Sequence, residues 1–162
     1  VLRLNGEETS GRAEPLLANP VGRLRWAAGH LTIAFGGAVL IMLLAGLGFA
    51  VGHGRDVGPI LGACLVQVAG VWVIGGLAVL LYGVLPRAAM AAWGVAGAVL
   101  LIGWVGPALN VPQAVLDVSP FGHLPKLPGG EMSWGPVLVL LGLAALLVAA
   151  GLAGLRRRDL TT

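Results

Sequence analysis

Four stretches of the sequence, residues 27–52, 58–85, 88–108 and 134–155, each run on without a single Asp, Glu, Lys or Arg. A helix needs about 20 mostly apolar residues to cross the hydrocarbon core of a bilayer, and all four stretches meet that length. The expected fold class is therefore all-α: a polytopic membrane helix bundle with four transmembrane helices. No other feature of the chain narrows its folding options as much.

Composition agrees. Of the 162 residues 57% are hydrophobic and 10% charged, where a soluble domain carries roughly 25% charged residues. That is too little charge to cover a water-facing surface, so the lipid membrane is an expected partner. The net charge of +3 could suggest nucleic acid. However, the basic residues flank apolar runs instead of interleaving with aromatics on one surface, and no nucleic-acid partner is expected. The single cysteine, Cys64, lies inside an apolar run and can form no intrachain disulfide. No signal-peptide pattern precedes the first run.

The basic residues give an orientation. Arg3, Arg12, Arg23 and Arg25 precede the first run, Arg87 lies between the second and third, and Arg156, Arg157 and Arg158 follow the fourth. Four crossings place all of them on one side and leave only Arg55 and Lys126 on the other. Loops rich in Lys and Arg stay in the cytoplasm. The expectation is a multi-pass plasma-membrane protein with both termini cytoplasmic and with residues 52–57 and 110–133 outside. Trp26 and Trp134 fall near run ends, where amphipathic rings favour the membrane interface. Gly48 with Gly52, and Gly58 with Gly62, form small-xxx-small pairs of the kind that lets helix backbones approach closely.

The segments between the runs differ in character. Residues 1–26 are polar, and the stretch EETSGRAEPLLANPVGRLRW holds six charged residues and is broken by Pro15 and Pro20. Asn19 followed by Pro20 is a good helix start, with Asn as cap and Pro at the first helical position. Upstream, Ala13, Leu16 and Leu17 have helical spacing, and Pro15 limits that helix to a short piece. This segment is either a compact charged element at the membrane surface or a frayed, solvated end. The outer segment, residues 110–133, is rich in Pro and Gly yet holds Val111, Val115, Leu116, Val118, Phe121, Leu124 and Leu127. A solvated loop has no need of those side chains. An interfacial or re-entrant element is expected, since irregular backbone is tolerated at depth where protein or a cavity covers it. Asp117, His123, Lys126 and Glu131 line it. Residues 156–162 form a short cytoplasmic tail.

The chemistry is sparse. No G-x-x-x-x-G-K-[ST] motif is present to cradle phosphates. His30, His53 and His123 show no metal-ligand spacing and Cys64 has no partner, so no metal site is expected. His30 and His53 read as interfacial polar residues at the two ends of the first run. Besides His30 at the inner mouth of the first, the runs offer Thr32, Cys64, Gln67, Tyr82 and little else that is reactive or polar, which is too little for an enzyme, and no catalytic residue is assigned. Gln67 is the one amide deep inside a run. It is a candidate, with Trp72, for the lining of a substrate path, and equally a candidate for an interhelical hydrogen bond.

The opening stretch carries a resemblance. In ABC-2-type transporter permeases an E-x-x-x-G-x-x-E-x-L-L-A-x-P-V-x-R pattern precedes a span. Glu7, Gly11, Glu14, Leu16, Leu17, Ala18, Pro20, Val21 and Arg23 match it. The outer LDVSPFGHLPKLPGGEMSW and the terminal GLAGLRRRDL look like the end of the actinobacterial branch of polyketide-antibiotic and multidrug exporters. The resemblance covers essentially the whole chain, which is similar to the C-terminal part of such a permease and lacks the first two spans of its half.

The resemblance implies the following. Residues 1–26 would form a cytoplasmic coupling segment, with Glu7, Glu8, Gly11, Arg12, Glu14, Leu16 and Leu17 as a coupling helix on a separate ABC ATPase subunit. Asp117, Phe121 and His123 would belong to the outer re-entrant element before the last span. The chain would bind no cofactor, ATP and magnesium being used by the ATPase. The remaining half or halves of the permease would be further partners. The implied function is ATP-driven export of hydrophobic or amphipathic compounds such as antibiotics. The rival expectation is a small four-span membrane scaffold that binds a partner and transports nothing.

Overall fold

A computed structural model describes residues 23–54, 57–85 and 90–157. The described residues are helical with no strand: α1 spans Arg23–His53, α2 Val57–Val84, α3 Ala91–Val105, α4 Gln113–Leu116 and α5 Trp134–Arg157. Short 3-10 turns at Gly106–Leu109 and Pro120–His123 complete the set. Three helices, α1, α2 and α5, are long and apolar enough to cross a membrane. Their outward faces carry bare aliphatic groups, such as Ile33 at 76% exposure and Val139 at 70%. Water would not tolerate such a surface over a whole bundle, and hydrocarbon does.

The third run differs from its expected span of 88–108. Its α-helix has 15 residues and rises about 22 Å, short of a bilayer core. Beyond Val105 the chain tightens into the 3-10 turn Gly106–Leu109. Pro107 lacks the amide hydrogen that an α-helix would direct to the Gly103 carbonyl. Residues 86–89, which precede the helix in the sequence, lie outside the described residues.

α1 and α2 form an antiparallel pair. Gly46 faces Leu61 and Cys64, Gly75 faces the Phe35 ring, and Ala27 packs with Tyr82, so contacts run in opposite chain directions. α1 ends at Gly54, whose φ of +58° is the left-handed conformation that closes helices and suits glycine.

α2 and α5 run in the same direction. A Cβ at Gly76 would touch Ala144 and Leu147, one at Gly83 would strike Gly151, and one at Gly154 would reach Gly83 and Val84. The contacting residue numbers rise together, with an offset that puts Trp134 about level with Val66. Between the end of α2 and the start of α5 the chain thus climbs back by about 27 Å, and α3 supplies most of that return.

Lipid removes the hydrophobic driving force between helices, so association rests on dispersion contacts at close range. The glycines at Gly76, Gly83, Gly151 and Gly154 provide that closeness. The pairs Gly48 with Gly52 and Gly58 with Gly62 do not: a Cβ added at any of these four meets nothing within 4 Å among the described residues. Their spacing is correct, but no neighbouring helix among the described residues comes within contact distance of them.

Candidate functional site

The outer segment is folded against the helices. Three residues anchor it. Leu116 lies against Gly106, Ser119 against Gly103, and the Phe121 ring against Gly70 near the middle of α2. Each contact point on a helix is a glycine, because any side chain there would occupy the space of the anchor. Leu124 is buried with Val66, Ala69, Val137 and Leu140, and Phe121, Leu127 and Met132 pack around that cluster. The segment therefore joins the first half of α2 to the first half of α5.

Its last turn is set by local backbone requirements. Gly129 has φ +113°, a value that side chains avoid. A Cβ at Gly130 would sit 2.7 Å from the Lys126 carbonyl, whose oxygen accepts the Gly130 amide hydrogen at 3.1 Å. The sequence KLPGG thus folds back on itself and holds Leu127 and Pro128 over the face of α2.

Beneath this turn lies a cavity of about 630 Å³. Pro59, Gly62, Val66, Ala69 and Trp72 form its α2 wall, Val137 and Leu141 belong to its α5 wall, and Leu127–Gly130 with Met132 closes one side. A second cavity of about 360 Å³ continues inward between α1 and α5, with Phe35, Ala144, Val148 and Leu152 in its lining. Trp72 and Leu141 line both. The Trp72 indole N–H donates to the Phe35 carbonyl at 3.2 Å, and the two rings lie 5.5 Å apart, so Trp72 is fixed between the cavities. Below Leu152 the three long helices converge: Ala27, Tyr82 and Leu155 form a buried cluster with Trp26. Among the described residues no Asp, Glu, Lys, Arg or His lines either cavity.

The residues expected to matter are therefore dispersed. Trp72 stands at the boundary of the two cavities, while Gln67 is half-buried on α2 and lines neither. Phe121 is turned inward onto Gly70. Asp117 is exposed and accepts a hydrogen bond from the Gln113 amide at 2.8 Å. His123 is exposed as well, its Nδ1–H donating to the Ser119 carbonyl at 3.2 Å. His30 and His53 make the same kind of bond one turn back, to the Trp26 and Phe49 carbonyls. The coupling residues Glu7, Glu8, Gly11, Arg12, Glu14, Leu16 and Leu17 lie outside the described residues. Sequence reasoning missed Gly62, Leu127, Val137 and Leu141 as cavity lining. Apolar residues on apolar helices carry no signal for this.

Three long apolar helices, a segment folded against them and two partly open apolar cavities mark a membrane protein. The sequence matches the family model of the multidrug efflux system permease Rv1217c, C-terminal domain, over residues 1–156, and the chain belongs to that family. It is 36% identical over an alignment of 165 residues to the multidrug efflux system permease protein Rv1217c of Mycobacterium tuberculosis, covering 98% of this chain and 30% of that protein. The chain thus spans under a third of the length of this relative.

Proposed function

We propose that the chain is the C-terminal part of the membrane subunit of an ATP-driven exporter of the ABC-2 type, moving hydrophobic or amphipathic compounds, antibiotics among them, out across the plasma membrane. Family membership over residues 1–156 carries the reading. The two apolar cavities lined by Trp72 fit it physically: they offer such cargo a place inside the bundle. The parallel run of α2 and α5 supports four crossings, with α3 as the third, because the chain has to recross between them. Clustered arginine outside the apolar runs supports cytoplasmic ends.

In this reading the outer segment Asn110 to Ser133 is re-entrant. Residues Glu7 to Leu17 dock on a separate nucleotide-binding subunit, which holds the ATP and magnesium. Closure of that subunit favours one of two bundle conformations, acting through its differential affinity for them. The rest of the permease completes the path. The test is co-purification of the full permease with its ATPase. Replacing Glu7, Glu14 and Leu16 together should abolish co-purification and ATP-dependent efflux while leaving the permease in the membrane. Retained ATPase binding would remove the coupling assignment.

A further inference from the structure

We infer that the outer cavity is a binding site for an uncharged, apolar small molecule, and that Trp72 is the residue dividing it from the inner cavity. The inference rests on the permease reading for its purpose but on geometry for its location. The volume of about 630 Å³ falls in the range of small-molecule sites, about 300–1,000 Å³. The cavity is interrupted by Trp72 and Leu141 where a straight helix would have to continue. A compact molecule fits that outline.

The lining sets the chemistry. With no charged or imidazole group among the described lining residues, a cation or anion entering the cavity would lose its hydration without gaining a partner, at a cost of several kcal/mol or more. A neutral apolar molecule has no such penalty and gains dispersion contacts with Val66, Leu127, Val137 and the Trp72 ring. Inward, one stripe of α5 runs on from Val137 through Leu141 to Val148 and Leu152. The walls of the two cavities are thus continuous, and where they meet Leu141 lines the α5 side and Trp72 the α2 side. A change of the Trp72 rotamer, with loss of the bond to the Phe35 carbonyl, would join them.

Gly62 provides a clean way to test this. It lines the cavity, and a Cβ there meets nothing within 4 Å among the described residues, so Gly62→Leu puts bulk into the space without displacing the fold. Gly58→Leu, equally open but outside the lining, is the control. The full permease in nanodiscs is photolabelled with trifluoromethyl phenyl diazirine, and modified residues are mapped by mass spectrometry. Three arms run beside it: the probe's trimethylammonium derivative, a phospholipid with the diazirine in its acyl chain, and Ile33 as the lipid-facing reference residue.

The neutral probe should label Met132 and Val137 saturably, in competition with excess Nile red, and the cationic derivative should not. Gly62→Leu should lower that labelling by about tenfold or more and leave Ile33 unchanged, while Gly58→Leu should behave as the unmodified protein. Trp72→Ala should extend the labelling to Ala145 and Val148, and Trp72→Phe should not. Labelling at Val137 that cannot be saturated, or that ignores Gly62→Leu, overturns the site. Labelling there by the phospholipid alone overturns its occupant. Saturable labelling in a permease that drives no ATP-dependent efflux would keep the site and remove the exporter reading; efflux with unsaturable labelling would do the reverse.

Discussion

Gly83 of α2 faces the Gly151 carbonyl of α5 so closely that a single methyl group on Gly83 would collide with the oxygen. Backbone stands on both sides of this contact, so no flexible side chain can move aside. Gly83→Ala should therefore force the two helices apart, with a loss of about 1–3 kcal/mol or more, as overpacking typically costs. Gly48→Ala should do the opposite. That position is open among the described residues, and replacing a mid-helix glycine gains roughly 0.5–1 kcal/mol. Thermal unfolding of the two variants in the same detergent checks both signs at once.

The contrast between these two glycines marks where the sequence was legible. The long helices could be read from hydropathy alone, because a missing charge over twenty residues is a large and one-sided signal. α1 and α2 begin and end close to the limits of residues 27–52 and 58–85. Which glycines touch a neighbour could not be read. In a chain with 27 glycines, spacing says that two lie on one face but not which way that face points. Lipid and protein interior are alike in polarity, so the two faces of such a helix hardly differ and the usual sign of orientation is lost. The outer segment was legible as packed from its surplus of aliphatic residues. Its partners, Gly70, Gly103 and Gly106, were not, since a glycine records only that something needed room. Trp72 lines both cavities whereas Gln67 lines neither, because polarity was a poor guide to a site made of apolar surface.

Phe121 reaches Gly70 at the centre of α2 and anchors the outer segment there. Phe121→Ala should release that hold. Full truncation of a buried Phe costs about 3–5 kcal/mol, and Phe121 is half-buried, so a loss of about 1–3 kcal/mol is expected. Gly70→Ala should act through the same contact from the other side, since its methyl would occupy the ring's position. In both variants hydrogen exchange should quicken over residues 113–124 and stay slow in α5. An unchanged exchange pattern in both would show that Leu124 and Ser119 hold the segment without Phe121.

Ser119 is completely buried, and its Oγ makes no hydrogen bond among the described residues. Burying a hydroxyl without a partner costs about 1–3 kcal/mol. Ser119→Ala removes that cost while keeping the small side chain that Gly103 requires, so it should leave stability unchanged or raise it by about 1 kcal/mol. Ser119→Val should destabilise, because the added methyl would press into α3 at Gly103. Denaturation midpoints for the pair separate the loss of polarity from the gain of volume.

The crossing pattern itself gives the last expectation. α2 and α5 are parallel, so their outer ends share one side of the membrane and their inner ends the other. Asp117 is exposed on the outer segment, and Arg156 is exposed in the last turn of α5. With Cys64, the one cysteine of these 162 residues, and any cysteine of the remaining permease replaced by Ala, Asp117→Cys should react with a membrane-impermeant maleimide in intact cells. Arg156→Cys should react only after the membrane is opened. A ratio of at least about tenfold between the two sites is expected, because a permanently charged reagent crosses hydrocarbon at a cost of several kcal/mol. Equal labelling of both positions in intact cells would mean that α5 does not cross. The cytoplasmic placement of the chain ends, and with it the docking of an ATPase on Glu7 to Leu17, would then fail.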